Sequence, residues 1–116
     1  MVVNDDLTQL TLLAGLITKA GLNPRAFTGA EAALEYMTDK NNPLPALIVT
    51  DLYMPGIDGW RFCRLLRSPE YAALNHIPIL VVSATYLGEE PNRIAADLGA
   101  EGFLSSPVEG LSLIHI

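Results

Sequence analysis

The sequence predicts an α/β fold: a doubly wound sheet of five parallel strands, with helices on both faces and a short last helix. Short apolar runs alternate along the chain with longer segments whose apolar residues recur at helical spacing. Two runs, 46–50 and 77–82, are apolar at nearly every position, which is typical of strands covered on both faces of a parallel sheet. The 116 residues are 50% hydrophobic, which is enough for the core of one domain.

The first half of the chain contains two predicted strands, each followed by a helix. The strands are 1–3 and the weaker run 25–27. Gly21 ends the first helix, because glycine readily takes the left-handed conformation that follows a last helical turn, and the second helix stops near Pro43. The apolar stripe of the first helix contains Leu10, Leu12, Leu13, Ala14, Leu16 and Ile17, and that of the second contains Ala32, Ala33, Leu34 and Met37.

The second half continues the alternation of strands and helices. Asp58 precedes the third helix as its predicted N-cap, and Cys63 lies in the apolar stripe of that helix, where we expect an inert buried thiol. One domain is predicted over 1–109, and the tail 110–116 is either a shortened helix or an extension foreign to the domain. The remaining predicted elements are strands at 46–50, 77–82 and 102–104 and a helix at 92–98 that Gly99 closes.

Composition limits the partners and the location. The 7 basic and 13 acidic residues give a net charge of −6, which argues against direct binding to nucleic acid and favours proteins or a divalent cation. The lone cysteine cannot form an internal disulfide, which favours a reducing compartment. No segment approaches the roughly 20 apolar residues that span a bilayer, and the first residues lack the basic-then-apolar pattern of a secretory signal. We therefore expect a cytoplasmic protein without membrane contact.

Polar residues follow the predicted strands at their carboxyl ends, where open parallel sheets bind ligands. Clustered carboxylates repel one another, so oxygen ligands in such a place favour a hard cation, and Mg²⁺ fits best because it needs few protein carboxylates. A carboxylate on a rigid strand end can also attack phosphorus and form an acyl phosphate. The polar residues at the strand ends are Asn4, Asp5, Asp6, Asp51, Ser83, Thr85, Ser105 and Ser106.

The run 51–59, Asp-Leu-Tyr-Met-Pro-Gly-Ile-Asp-Gly, resembles the signature of response-regulator receiver domains of two-component signalling. The resemblance implies the flavodoxin-like receiver fold and covers nearly the whole chain. It extends to Asn4-Asp5-Asp6 after the first strand, Ser83-Ala84 after the fourth, Gly99-Ala100, and Phe103 in the fifth.

The resemblance implies a role for each matched residue. Asp51 is the expected phosphoacceptor and binds Mg²⁺ together with Asp5 and the backbone carbonyl of Tyr53. Ser83 is the switch hydroxyl that contacts the phosphoryl group, and Phe103 is the aromatic side chain that changes rotamer. The phosphoryl group comes from a sensor histidine kinase or a phosphotransfer protein, and an output domain or downstream protein receives the signal. No enzyme activity beyond self-dephosphorylation is implied. The resemblance is also compatible with a homodimer.

Two positions depart from the family pattern. Asn4 stands where one of two acids is usual, so it contributes no charge and reaches the metal only through water. Ser106 replaces the lysine before the fifth-loop proline, and a neutral hydrogen bond is roughly half as strong as a charge-assisted one. A second hypothesis is therefore a receiver-like interaction module with weak or no phospho-signalling. A small phosphatase is a third, disfavoured because Tyr53 stands where its second catalytic acid would be.

Simpler structural roles remain open for the acidic residues. Asp51 could be a turn or cap aspartate, and Asp5 could be the N-cap of the first helix. Asp6 is expected in the first turn of that helix, where the helix dipole favours an acid.

Overall fold

The computed structural model describes residues 1–51, 54, 56–83, 97 and 99–105, with the backbone alone at 83 and 103–105. A sheet of five parallel strands has the order β2-β1-β3-β4-β5. The strands are β1 (Val2–Val3), β2 (Ala26–Phe27), β3 (Ile48–Thr50), β4 (Ile79–Ser83) and β5 (Gly102–Ser105). The helices in the described residues are α1 (Leu7–Lys19), α2 (Ala30–Thr38), α3 (Gly59–Leu66) and a 3-10 helix (Pro69–Leu74).

The sheet has a hydrophobic layer on each face, because successive strand residues point to opposite sides. Val2 and Val49 lie in the layer with the buried stripe of α1. Val3 and Ile48 lie in the other layer, with the buried residues of α2 and α3. Every described side chain of β3 and β4 is at most 2% exposed, so the predicted doubly wound sheet, covered on both faces, is confirmed.

Helix α1 has a defined start and a defined end. Asp6 is its N-cap and accepts hydrogen bonds from the backbone N–H of Thr8 at 2.9 Å and of Gln9 at 3.3 Å. At the other end Gly21 has φ of 86°, and the Leu22 N–H donates to the Ile17 carbonyl at 3.2 Å. This is the Schellman arrangement, so the predicted helix end at Gly21 is confirmed.

Three details differ from the sequence-based prediction. Leu12 is 46% exposed and does not belong to the stripe, since at about 100° per residue it points away from Leu10 and Leu13. Strands β1, β2 and β3 are shorter than predicted, because fewer of their residues pair with a neighbouring strand than the apolar runs suggested. The 3-10 helix was not predicted. The predicted helix 92–98 lies mostly outside the described residues, and the tail 110–116 lies entirely outside them.

The helices of the described part include none that is both long and apolar enough to cross a membrane.

Candidate functional site

The strand order reverses between β1 and β3, and a crevice at such a switch point is the usual ligand site of an open parallel sheet. Asp51 follows β3 at this point and is half-buried. Its N–H donates to the Val3 carbonyl at 3.1 Å, and Val3 is paired with Thr50. Asn4 and Asp51 therefore occupy neighbouring positions, one residue beyond the last pair of the β1–β3 ladder, and Asp5 follows directly.

Asn4 is buried, with 3% of its surface exposed. Its Oδ1 accepts a hydrogen bond from the Asp6 N–H at 2.9 Å, and its own N–H donates to the Phe27 carbonyl at 3.0 Å. These bonds fix the turn that leads from β1 into α1. A neutral amide costs less to bury here than a carboxylate would, because it carries no charge to desolvate.

The acidic residues that follow Asn4 have different structural positions. Asp6 makes the N-cap bonds of α1, so the alternative role of Asp5 as the N-cap is wrong, and Asp6 lies before the first turn rather than in it. The reason is the Asn4 bond to the Asp6 N–H, which begins the helix one residue later than expected. Asp5 is exposed and takes no part in the cap, so its carboxylate can serve a ligand at the crevice.

The segment after Asp51 is held at both ends. Met54 is 8% exposed and packs in the layer that contains α2 and α3. Gly56 has φ of 77°, a conformation that favours glycine, whereas the 3.0 Å approach of a Cβ to Glu31 Oε1 could be relieved by a shift of the flexible Glu31 side chain. Asp58 caps α3 by accepting from the Arg61 N–H at 2.9 Å, which confirms the predicted cap. These contacts limit how far the backbone around Asp51 can move.

Ser83 ends β4, and its backbone is paired with that of Ser105 in β5. Because Thr50 is paired with Val81, Ser83 lies one position farther along the sheet than Asp51. Phe103 is in β5, paired with Val81. The side chains of Ser83 and Phe103 are not described. Tyr53, Thr85 and Ser106 lie outside the described residues, so their predicted roles remain predictions.

The donor set at the crevice fits Mg²⁺ in its chemistry. Asp5 and Asp51 would supply carboxylate oxygens from two adjacent strand ends, and Mg²⁺ is usually held by one or two carboxylates while it keeps several waters. In the part of the chain that the structure describes, no three His, Cys, Asp or Glu side chains are grouped in a way that could hold a metal ion. A site built from protein side chains alone, such as a structural zinc site, therefore has no counterpart among these residues.

Cys63 lies apart from the crevice, in the layer that contains α2 and α3. It is fully buried, and burial raises the pKa of its thiol to about 12. The charge of Arg67 lowers this pKa and the charge of Glu101 raises it, both by smaller amounts. The predicted burial of Cys63 is confirmed, and because the thiolate is the reactive form, the raised pKa favours an inert thiol.

Leu7 is a feature of the site region that the sequence did not reveal. It follows the cap residue Asp6 and is 66% exposed. Helical spacing does not predict the exposure of Leu7, because Leu7 continues the buried series Leu10, Leu13 and Ile17. Leu7 lies in the first turn of α1, beyond the end of β1 at Val3, and only the tertiary structure shows that it is exposed.

Comparison with known proteins agrees with this architecture. The sequence model of the response regulator receiver domain matches residues 1–116. The sensory/regulatory protein RpfC of Xanthomonas campestris pv. campestris is 29% identical over 114 residues, which are 98% of this chain and 15% of that protein. The heme response regulator HssR of Staphylococcus epidermidis is 25% identical over 98% of this chain and 47% of its own length. The chain thus spans less than half of either relative.

Solved structures show the same fold. A response regulator receiver protein from Pseudomonas putida has a TM-score of 0.78 and 30% identity, over 98% of this chain and 89% of that one. The chemotaxis protein CheY4 of Vibrio cholerae has a TM-score of 0.80 over 98% and 90% of the two chains, and its 20% identity supports the fold alone. With the family match over the full sequence, these likenesses show that the chain belongs to the response regulator receiver domain family.

Proposed function

We propose that this receiver domain is a phosphoacceptor of a two-component system and that Asp51 accepts the phosphoryl group. The observation that supports this most is the position of Asp51, half-buried at the end of β3 and next to the Asn4–Asp5 end of β1. A carboxylate at the switch point of an open parallel sheet lies where such folds carry out their chemistry. The donor is the phosphohistidine of a sensor histidine kinase or of a phosphotransfer protein.

In the proposed reaction a carboxylate oxygen of Asp51 attacks phosphorus. The P–O bond of an acyl phosphate forms while the P–N bond to the donor histidine breaks, and the imidazole leaves with the bonding electron pair. Asp5, Asp51 and the Tyr53 carbonyl would hold Mg²⁺, and Asn4 would reach it through water. When bound, the ion neutralises part of the charge on the phosphoryl oxygens.

Rigid positioning of Asp51 is the contribution of the described residues. The Asp51 N–H is bound to Val3, and the buried Thr50 hydroxyl donates to the Asp51 carbonyl at 3.0 Å. The buried Met54 side chain then anchors the loop that follows. A nucleophile whose backbone is fixed in this way loses little freedom on reaching its reactive geometry, which lowers the barrier.

The response to phosphorylation is proposed for the two strands beyond β3. The Ser83 hydroxyl donates to a phosphoryl oxygen, and Phe103 changes rotamer as the surface around β5 rearranges. Ser106 offers a neutral hydrogen bond in place of a cation. An output domain or a downstream protein binds the altered surface. We propose a cytoplasmic location, because such partners are cytoplasmic.

The proposal is tested with a small phosphodonor. The protein is incubated with Mg²⁺ and acetyl phosphate, and the added phosphoryl mass is mapped by mass spectrometry. We expect modification of the wild type at Asp51 and none in Asp51→Asn. Asp39→Asn is the matched control, because Asp39 is an exposed aspartate at the end of α2. No modification, or modification at another residue, would contradict the proposal.

The second hypothesis, an interaction module with little phospho-signalling, is favoured by Asn4 and Ser106. Addition of beryllofluoride and Mg²⁺ separates it from the first. Under the leading proposal, backbone amide resonances shift both near Asp51 and at Phe103, and Ser106→Lys enlarges the shift at Phe103. Shifts confined to the neighbourhood of Asp51 in both proteins would favour the interaction module.

A further inference from the structure

Helix α3 presents a surface that the proposed chemistry does not use. Trp60, Arg61 and Arg64 form what we call the α3 face. Trp60 is half-buried against the core, and both arginines are exposed. Residues three and four apart are neighbours on a helix surface, so Arg64 lies beside both Trp60 and Arg61. The three side chains therefore make one continuous patch.

The charge of this patch is opposite to that of the protein. Residues 59–68 contain three of the 7 basic residues and none of the 13 acidic ones, in a chain with net charge −6. Arg67 has an ion pair, with Glu101 at 3.5 Å. Among the described residues neither Arg61 nor Arg64 forms one. The α3 face is thus a basic patch without acidic partners on an acidic molecule.

The stability of α3 explains the position of Arg64 but not that of Arg61, because Arg64 is in the last turn, where the negative end of the helix dipole favours a cation. Arg61 is in the first turn, where the positive end of the helix dipole disfavours a cation. The Asp58 carboxylate is engaged with the backbone N–H of Arg61 and not with its guanidinium. Like charges one turn apart on a helix are also mildly destabilising. An external anionic partner removes both costs.

We propose that the α3 face binds an acidic protein segment, in the form of a helix that presents carboxylates one turn apart. The arginine fork matches a carboxylate with two parallel hydrogen bonds, and two arginines one turn apart match two acids at the same spacing. Trp60 supplies apolar area beside them, and tryptophan and arginine are the residues most enriched at interface hot spots. Nucleic acid fits less well, because the net charge of −6 repels an extended polyanion.

This inference is independent of the proposed function, since it uses neither Asp51 nor a metal. The probe is a fluorescein-labelled, alanine-based helical peptide with pairs of glutamates four residues apart and one leucine between the pairs. Binding is measured by fluorescence polarisation at low and at physiological salt. We expect saturable binding that weakens with salt and that is lost with a peptide in which glutamine replaces every glutamate.

Matched variants locate the site. Arg61→Glu combined with Arg64→Glu should weaken binding at least about tenfold. Lys19→Glu combined with Lys40→Glu makes the same change in net charge at two exposed residues elsewhere and should change binding less than about twofold. Arg61→Gln with Arg64→Gln is a milder second pair, and chemical-shift changes of the α3 amides report contact directly.

Several results would overturn the inference. The first is that the wild type shows no saturable binding to the glutamate peptide, and the second is that the Arg61/Arg64 and Lys19/Lys40 double variants lose equal affinity. The others are that the wild type binds the glutamine peptide as tightly as the glutamate peptide, or that the α3 amide resonances do not shift when the peptide is added. A DNA duplex or phosphatidylserine vesicles that bind through Arg61 and Arg64 more tightly than the peptide would also reject an acidic protein segment as the occupant.

Discussion

At the scale of single residues, the neutral side chain of Asn4 lowers the negative charge of the crevice and so affects the stability of the metal-free domain. It is buried beside two acids, and its amide oxygen is already engaged by the Asp6 N–H. A carboxylate in the same place would keep that hydrogen bond and add a third negative charge, which is costly in a desolvated position. The amide therefore keeps the metal-free domain more stable at the expense of charge for binding Mg²⁺.

This account predicts opposite effects of Asn4→Asp on stability and on metal binding. Without Mg²⁺ the free energy of unfolding should fall by about 2 kcal/mol, since the single hydrogen bond from the Asp6 N–H does not compensate the desolvation of a buried carboxylate. Saturating Mg²⁺ should remove most of that loss, and titration calorimetry should show about tenfold tighter binding. Asn23→Asp adds the same charge at an exposed residue and should do neither. If Mg²⁺ stabilises both variants equally, Asn4 does not face the metal.

Cys63 predicts a pH dependence of stability. Burial raises the pKa of its thiol from 9.0 to about 12, so above pH 9 the unfolded chain loses the proton while the folded chain keeps it. The stabilisation is complete below pH 9 and is lost as the pH rises toward 12, with a slope approaching about 1.4 kcal/mol per pH unit. Urea unfolding between pH 7 and 10.5 should show this component in the wild type. A parallel pH profile in Cys63→Ala would refute it.

At the scale of elements, the start of α1 separates the two adjacent acids. Asp6 accepts two backbone N–H groups that the helix itself cannot satisfy. Asp5 comes one residue earlier, exposed at the carboxyl end of β1. The sequence Asn-Asp-Asp allows either acid to be the cap, and only the position of the chain leaving the sheet decides between them.

Alanine substitutions should divide these roles. Asp6→Ala should lower the free energy of unfolding by about 1 kcal/mol through loss of the cap and leave phosphorylation of Asp51 by acetyl phosphate largely intact. Asp5→Ala should change stability by less than about 0.5 kcal/mol, as surface substitutions usually do, and abolish Mg²⁺ binding in calorimetry. Equal destabilisation by both variants, or Mg²⁺ binding that survives in Asp5→Ala, would contradict the division.

At the scale of the whole molecule, Arg67 joins segments that are far apart in the sequence. Its Nε donates to the Gly99 carbonyl at 2.9 Å and its Nη2 to the Ile77 carbonyl at 2.8 Å. Glu101, its ion-pair partner, accepts from the Ile79 N–H. A Cβ at Gly99 would lie 2.9 Å from Arg67 Cγ, so glycine permits this close approach. The guanidinium thus connects the end of α3 to the beginnings of β4 and β5.

Arg67→Ala should therefore destabilise the domain by about 2 kcal/mol. Most of this is expected from the two charge-assisted hydrogen bonds, each worth at most about 1.5–3 kcal/mol net. The sum is reduced because the bond to Gly99 is exposed and because Nη1 is buried without a hydrogen-bond partner among the described residues, and the partly exposed ion pair adds little. Arg64→Ala, one turn earlier and exposed, should change stability by less than about 0.5 kcal/mol. Urea unfolding compares the two, and a similar small loss in both would mean that Arg67 does not join these segments effectively.

Much of the architecture was predictable because it is encoded in local patterns. The continuous apolar runs around Val49 and Val81 indicated strands covered on both faces, and each lies between two hydrophobic layers. Gly21 and Asp58 marked a helix end and a helix start, since positive φ and N-capping depend on one residue and its immediate neighbours. Asp51 was identified as the central acid because it directly follows such a run.

Other features depended on contacts that no local pattern encodes. The neighbouring positions of Asn4 and Asp51 follow from the pairing of β1 with β3, strands separated by more than 40 residues. The exposure of Leu7 is also not encoded locally, because its helical spacing matches that of the buried residues of α1. Sequence by itself therefore determined the kind of fold and the position of Asp51 at the end of a buried strand, because helix and strand preferences are local. Strand register, burial and the long-range bonds of Arg67 were decided only by the tertiary structure, because each requires partners that are distant along the chain.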